Sequence, residues 1–115
     1  MISNGIDIIE IKRMEGIKKL DKIFTDKELD YYEKRHSVET LAGMYASKEA
    51  VLKSMGVGVE GYSLLDIEIL HTDKYMPYLN FHGKIKKEIE ENNYKFSLSI
   101  SHDKNYAVAS VIRFN

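Results

Sequence analysis

The chain has 115 residues, a length that fits one domain. Seventeen Lys and Arg against eighteen Asp and Glu leave a formal charge of -1, which excludes a strongly basic nucleic-acid arm and a strongly acidic disordered tail. A hydrophobic content of 43% supports a core, and the lack of Cys excludes disulfides, thiolate metal sites and a Cys nucleophile.

No apolar run approaches the roughly 20 residues of a membrane span, and no signal-peptide pattern opens the sequence, a balance that fits the cytoplasm. With one proline, Pro77, and no low-complexity linker or internal repeat, residues 1–115 read as a single domain. Gly5 to Ile11 is a short β-branched run predicted to be a strand covered on both faces. Asp7 is the odd member, because a carboxylate in an apolar run needs a partner, a metal or a changed pKa.

Lys12 to Leu20 follows as a short helix weakened near Gly16. Five basic and two acidic residues between Lys12 and Lys22 give it a basic outer face. Thr25 and Glu28 match a capping box and start a second helix that runs to about Arg35. Ser37 to Met55 is the clearest helix, with Ser37 as its expected cap and Gly56 as its stop. Glu49 and Lys53, four residues apart, share one of its sides.

Gly56 to Gly61 is a connection. Leu64 to His71 and Tyr78 to Phe81 read as strands, and Lys84 to Glu91 as a polar helix with Ile85 and Ile89 inward. Tyr94 to His102 and Tyr106 to Phe114 are the last strands, with a turn at Asp103, Lys104 and Asn105. The order gives an α+β class: an antiparallel sheet packed on a long central helix.

Asp7 and Glu49 are two hard oxygen ligands on ordered elements. That pairing suits Mg²⁺, which keeps waters and is completed by substrate phosphates. The plain alternative is an Asp that caps a helix and a Glu paired with Lys53 on a solvated face. Alternation over Ser97 to Asp103 puts Ser97, Ser99 and Ser101 on one face and Phe96, Leu98, Ile100 and His102 on the other. His102 at a strand end suits phosphate binding or proton relay, or else an ordinary turn histidine. GVGVEG is not a P-loop, because no Gly-Lys-Ser/Thr run ends it. The basic face at Arg13, Lys18, Lys19 and Lys22 is suited to an acidic protein partner, or is simply solvated.

Together these segments resemble the holo-[acyl-carrier-protein] synthases, the small 4'-phosphopantetheinyl transferase family. The resemblance is carried by GIDIIEI with Arg13, by Phe24-Thr25 with Glu28, and by Tyr45-Ala46-Ser47-Lys48-Glu49-Ala50 with Lys53 and Gly56-Val57-Gly58. Asp66-Ile67-Glu68-Ile69 and SLSISHD followed by Tyr106-Ala107-Val108-Ala109 complete it. It implies Mg²⁺-dependent transfer of the 4'-phosphopantetheine arm of coenzyme A, as co-substrate, to a serine of apo acyl carrier protein, with adenosine 3',5'-bisphosphate as the other product.

Carried over residue by residue, Asp7 and Glu49 would hold the metal, and Asp7, Glu49, Lys53 and His102 would be catalytic. Lys53, His102 and Ser101 would meet the coenzyme phosphates. Lys48 would orient or neutralise the coenzyme site, and the loop at Gly56 and Gly58 would lie by the nucleotide. Arg13, Lys18, Lys19 and Lys22 would receive the carrier protein.

The family likeness further implies a homotrimer with active sites between subunits, working in the cytoplasm for lipid metabolism, fatty acid biosynthesis included. Where members often carry Gly-Lys-Pro, this sequence has Tyr75-Met76-Pro77. The lack of an internal nucleophile fits direct transfer to the partner serine. The proton acceptor is either Glu49 or a metal-bound water. The alternative functions are a non-catalytic nucleotide or protein-binding module, and a structural trimer subunit.

Overall fold

A computed structural model describes residues 1–115. Strand β1 (Ile2–Glu10) leads through one helical turn, α1 (Lys12–Glu15), to helices α2 (Asp26–Arg35) and α3 (Val38–Ser54). Strands β2 (Ile67–His71) and β3 (Pro77–Phe81), helix α4 (Gly83–Glu91) and strands β4 (Lys95–Asp103) and β5 (Tyr106–Phe114) follow. β1, β5 and β4 form an antiparallel sheet in that order, and β2 and β3 pair as a separate antiparallel ribbon. The class is α+β, with α3 lying across the inner face of the larger sheet, as the pattern of elements predicts.

The core follows from the two periodicities. Alternate residues of β5 (Ala107, Ala109 and Val111) are buried, and Ile9 continues the layer on β1. Against them α3 sets Ala42, Ala46 and Ala50, all fully buried. Small residues on both sides bring helix and sheet into near backbone contact. At Gly5 a Cβ would overlap the carbonyl oxygen of Ala50 and crowd the Ser54 amide nitrogen at 2.6 Å.

α3 ends in a Schellman arrangement. Gly56 takes φ +73°, its N–H donates to Lys53 O, and the Val57 N–H donates to Leu52 O. α2 opens with the full capping box, Thr25 accepting from the Glu28 N–H and Glu28 accepting from the Thr25 N–H.

Four local expectations change. Ile6 and Ile8 are 60% and 64% exposed, so β1 is covered on its inner face only. The helix expected over Lys12–Leu20 is one turn anchored by buried Met14. It stops at Gly16, and a 3₁₀ turn at Leu20–Lys22 follows. Ser37 precedes α3 but makes no side-chain cap bond. Leu64–Asp66 is a 3₁₀ turn ahead of β2, with Ser63 accepting from the Leu65 N–H.

The close seam at Gly5 is measurable. Gly5→Ala should lower the free energy of unfolding by about 3 kcal/mol, at the upper end of an overpacking cost. Gly58→Ala, whose Cβ meets open space, should change it by less than about 0.5 kcal/mol. Urea midpoints at constant slope report both, and equal midpoints for the two variants would contradict the seam.

Candidate active site

Three side chains climb one stripe of α3 at four-residue spacing, Tyr45, Glu49 and Lys53, on the edge that looks toward β1. Asp7 lies two residues beyond Gly5 on the same inward face of β1, so the seam that seats Ala50 also sets Asp7 against this stripe. The Lys53 ammonium donates to Asp7 Oδ1 at 3.1 Å and to Ile6 O at 3.0 Å. Its side chain is 54% exposed and that of Asp7 16%, so a half-sunk carboxylate is reached by a cation from solvent. An ion pair this open is weak and exchangeable.

Burial pushes the Tyr45 phenol above its ordinary value, and the neighbouring Glu49 carboxylate adds to the shift, with Arg13 opposing and Asp7 reinforcing. Tyr45, Glu49, Asp7 and Arg13 therefore share one electrostatic neighbourhood. In the sequence Tyr45 stands at a helix position and opens the Tyr45–Ala50 motif, with no chemical role assigned to its phenol. Its phenol beside two carboxylates is a consequence of the α3 stripe.

Two carboxylates and a phenol on rigid elements are a hard-oxygen donor set. No group of three or more His, Cys, Asp or Glu side chains gathers to hold a metal. The donors suit an ion that keeps waters and takes the rest of its shell from phosphate oxygens, and they do not suit a closed Zn²⁺ site.

His102 lies elsewhere. It is on β4 opposite Ala107, whereas Asp7 is on β1 opposite Ala109. With β5 between them, the two strands stand about 10 Å apart. His102 Nδ1 is 3.3 Å from Glu39 Oε2 in the first turn of α3.

There it borders a cavity of about 170 Å³ whose lining includes Tyr31, Arg35, His71 and Tyr75. His71 stacks on Tyr31 with ring centres 3.8 Å apart, and burial together with Arg35 holds its imidazole below the usual value. The Arg35 guanidinium sits 4.8 Å over the Tyr75 ring. Tyr75 occupies φ +64°, a backbone conformation that glycine adopts without strain. Nothing in sequence spacing joined Arg35, His71 and Tyr75, because they meet only through the packing of α2 on the β2–β3 ribbon. Ser101, beside His102, points to the opposite face of the sheet, near Ile8 and Tyr106.

Lys48 departs most from expectation, and its assignment to the coenzyme is corrected here. Its side chain is fully buried, and its three protons go to Glu28 Oε1 (2.8 Å), Leu64 O (2.8 Å) and Ile67 O (2.7 Å). No donor is left for a ligand. Gly56 and Gly58 are exposed just beyond Lys53, and Arg13, Lys18, Lys19 and Lys22 are all exposed.

The profile of the 4'-phosphopantetheinyl transferase superfamily matches residues 3–111. The chain is 42% identical to the holo-[acyl-carrier-protein] synthase of Fusobacterium nucleatum, covering 97% of this chain and 98% of the relative. It is 40% identical to that of Clostridium perfringens, covering 95% and 90%. The chain belongs to the holo-[acyl-carrier-protein] synthase family of 4'-phosphopantetheinyl transferases.

Solved synthases share its fold. That of Neisseria meningitidis superposes with a TM-score of 0.90 at 30% identity over 100% of both chains. That of Helicobacter pylori, in complex with coenzyme A, gives 0.84 at 32% identity over 99% of this chain and 100% of the other. As in them, the enzyme is a small α+β transferase, and no helix is long and apolar enough to cross a membrane.

A second buried carboxylate offers a pH test of the scaffold. Burial pushes the Glu68 carboxyl up, but hydrogen bonds from Thr25 (2.5 Å), His82 (3.0 Å) and Asn80 (3.0 Å) outweigh it and leave the group below its ordinary 4.5. A depressed folded-state pKa contributes stability above the unfolded value, and that stability is lost as pH falls through the folded value. The stability advantage of wild type over Glu68→Gln should be full above about pH 4.5 and shrink below it. Thermal melts across this range check it, and a gap that stays constant to pH 3 contradicts the assignment.

Proposed function

We propose that the chain moves the 4'-phosphopantetheine group of coenzyme A onto a serine hydroxyl of an apo acyl carrier protein, with Mg²⁺, and releases adenosine 3',5'-bisphosphate. The observation that carries this reading is the meeting of Asp7 with the Glu49–Lys53 edge of α3 in a chain of the synthase family. Asp7 and Glu49 hold the metal in this proposal, and the bound ion supplies neutralising charge to the diphosphate.

Lys53, exposed and only weakly held by Asp7, turns to a coenzyme phosphate and stabilises charge that develops as the bond breaks. The serine oxygen bonds to the phosphorus that carries pantetheine, and the phosphorus–oxygen bond to the departing bisphosphate breaks. The serine proton passes to Glu49 or to a water beside it.

His102 and its cavity complete the coenzyme site from across a subunit boundary. Within one chain His102 is separated from Asp7 by β5, so a second copy is the means by which the two halves meet. The outer face of the large sheet supports such an assembly. Ile2, Ile6, Ile8 and Tyr106 are at least half exposed there, with Ile112 and Phe114 beside them. The proposed assembly is a homotrimer of single transferase domains, acting in the cytoplasm. Arg13, Lys18, Lys19 and Lys22 receive the acidic carrier, with the Gly56–Gly58 loop beside the nucleotide.

Incubation with coenzyme A, Mg²⁺ and apo carrier protein should add one phosphopantetheine mass to the carrier, and chelation should abolish the addition. Glu49→Gln should lower turnover by about 100-fold or more with an unchanged melting transition. Folded enzyme that modifies none of several apo carriers would overturn the proposal.

A further inference from the structure

Helix α3 buries three polar side chains: Ser47, Lys48 and Ser54. Ser47 and Ser54 donate to carbonyls of their own helix, Gly43 O and Val51 O. Lys48 alone reaches other elements. Its ammonium joins Glu28 at the start of α2 to the carbonyls of Leu64 and Ile67 at the start of β2. Glu28 is fully buried as well. One of its oxygens takes the Thr25 N–H and Lys48, and the other takes the Ile69 N–H at 2.9 Å. Every proton of the cation and both oxygens of the anion are used, and three elements are joined at one point.

Such a pair is a poor device for stability alone. Taking two charges out of water costs several kcal/mol, and apolar replacements of similar volume are often as stable. What a fully bonded pair provides is direction. The Ala42, Ala46 and Ala50 face that meets the sheet sets how near α3 lies, and the bonded pair adds a directional tie to α2 and β2 that methyl packing does not make.

Lys48 is adjacent to Glu49, which sits at a radius of about 5–6 Å from that axis with its side chain included. A turn of about 15° would carry the Glu49 carboxylate sideways by about 1.5 Å, beyond the roughly 0.5 Å that a working site tolerates.

We infer that the buried Lys48–Glu28 pair positions the metal-binding site: it fixes the rotation of α3 so that Glu49 faces Asp7. Lys48 is a positioning residue and touches neither metal nor coenzyme. The inference rests on the Mg²⁺ reading of Asp7 and Glu49.

The test compares wild type with the double variant Lys48→Met/Glu28→Gln, which removes both charges and keeps chain length and the acceptor for the Ile69 N–H. Free Mn²⁺ is read by electron paramagnetic resonance in the presence of coenzyme A, alongside turnover and the melting midpoint. The variant should melt within a few degrees of wild type. Its Mn²⁺ dissociation constant should rise about tenfold or more and its kcat fall to match, the size seen when support behind a metal ligand is removed.

A folded variant that binds Mn²⁺ and turns over like wild type overturns the inference and leaves the metal reading intact. A wild-type enzyme that binds no Mn²⁺ removes the metal reading, and the inference with it. Should the double variant lack a native transition, Glu28→Asp, which keeps both charges and shortens the reach to Lys48, is scored by the same two outcomes.

Discussion

At Gly5 the backbone of β1 touches the backbone of α3 with no room for a side chain between them. Much follows from that contact. Ala50 is locked beside Gly5, so its neighbour Glu49 and the residue one turn from Glu49, Lys53, come to the flank of β1. Asp7, one inward position further along the strand, is held against them. The ammonium of Lys53 spans the seam to Asp7 and to the Ile6 carbonyl. Packing of uncharged residues thus sets Asp7 against the side of α3 that carries Glu49 and Lys53.

The far side of α3 is governed by a different force. There Lys48 and Glu28 are buried as a pair whose bonds are all made, tying α2, α3 and β2. The near side sets distance and the far side sets rotation. The Arg35, His71 and His102 cavity lies at the other end of the helix, next to Glu39. One chain thus carries the Asp7–Lys53 seam, a separate cavity at His102 and an uncovered apolar sheet face. In a synthase these features favour an enzyme assembled from several copies.

Much of the fold was legible in the sequence because its signals are local. The Thr25–Glu28 box, the alternation in the last two strands and Gly56 after the long helix are each read within a few residues, and each is realised. What escaped depends on distant partners. A lysine reads as a surface residue, and Lys48 is buried only because Glu28 and the carbonyls of residues 64 and 67 converge on it from 16 to 20 positions away.

Ile6 and Ile8 read as core, yet the single chain has nothing to place over them. The expected helix after β1 shrank to a turn because only Met14 found a buried place. Of the proposed site, the Asp7, Glu49 and Lys53 grouping was legible through motif order. The Arg35 cavity was not, since an arginine at a helix end carries no distinguishing spacing.

In the proposed mechanism Asp7 and Glu49 would share one divalent ion, which would neutralise the coenzyme diphosphate. A crystal grown with Mn²⁺ and coenzyme A tests it through anomalous scattering. One strong peak is expected about 2.1 Å from a carboxylate oxygen of each residue and from a diphosphate oxygen. Bound coenzyme with no peak between these two carboxylates, or with the ion held by other side chains, would contradict it.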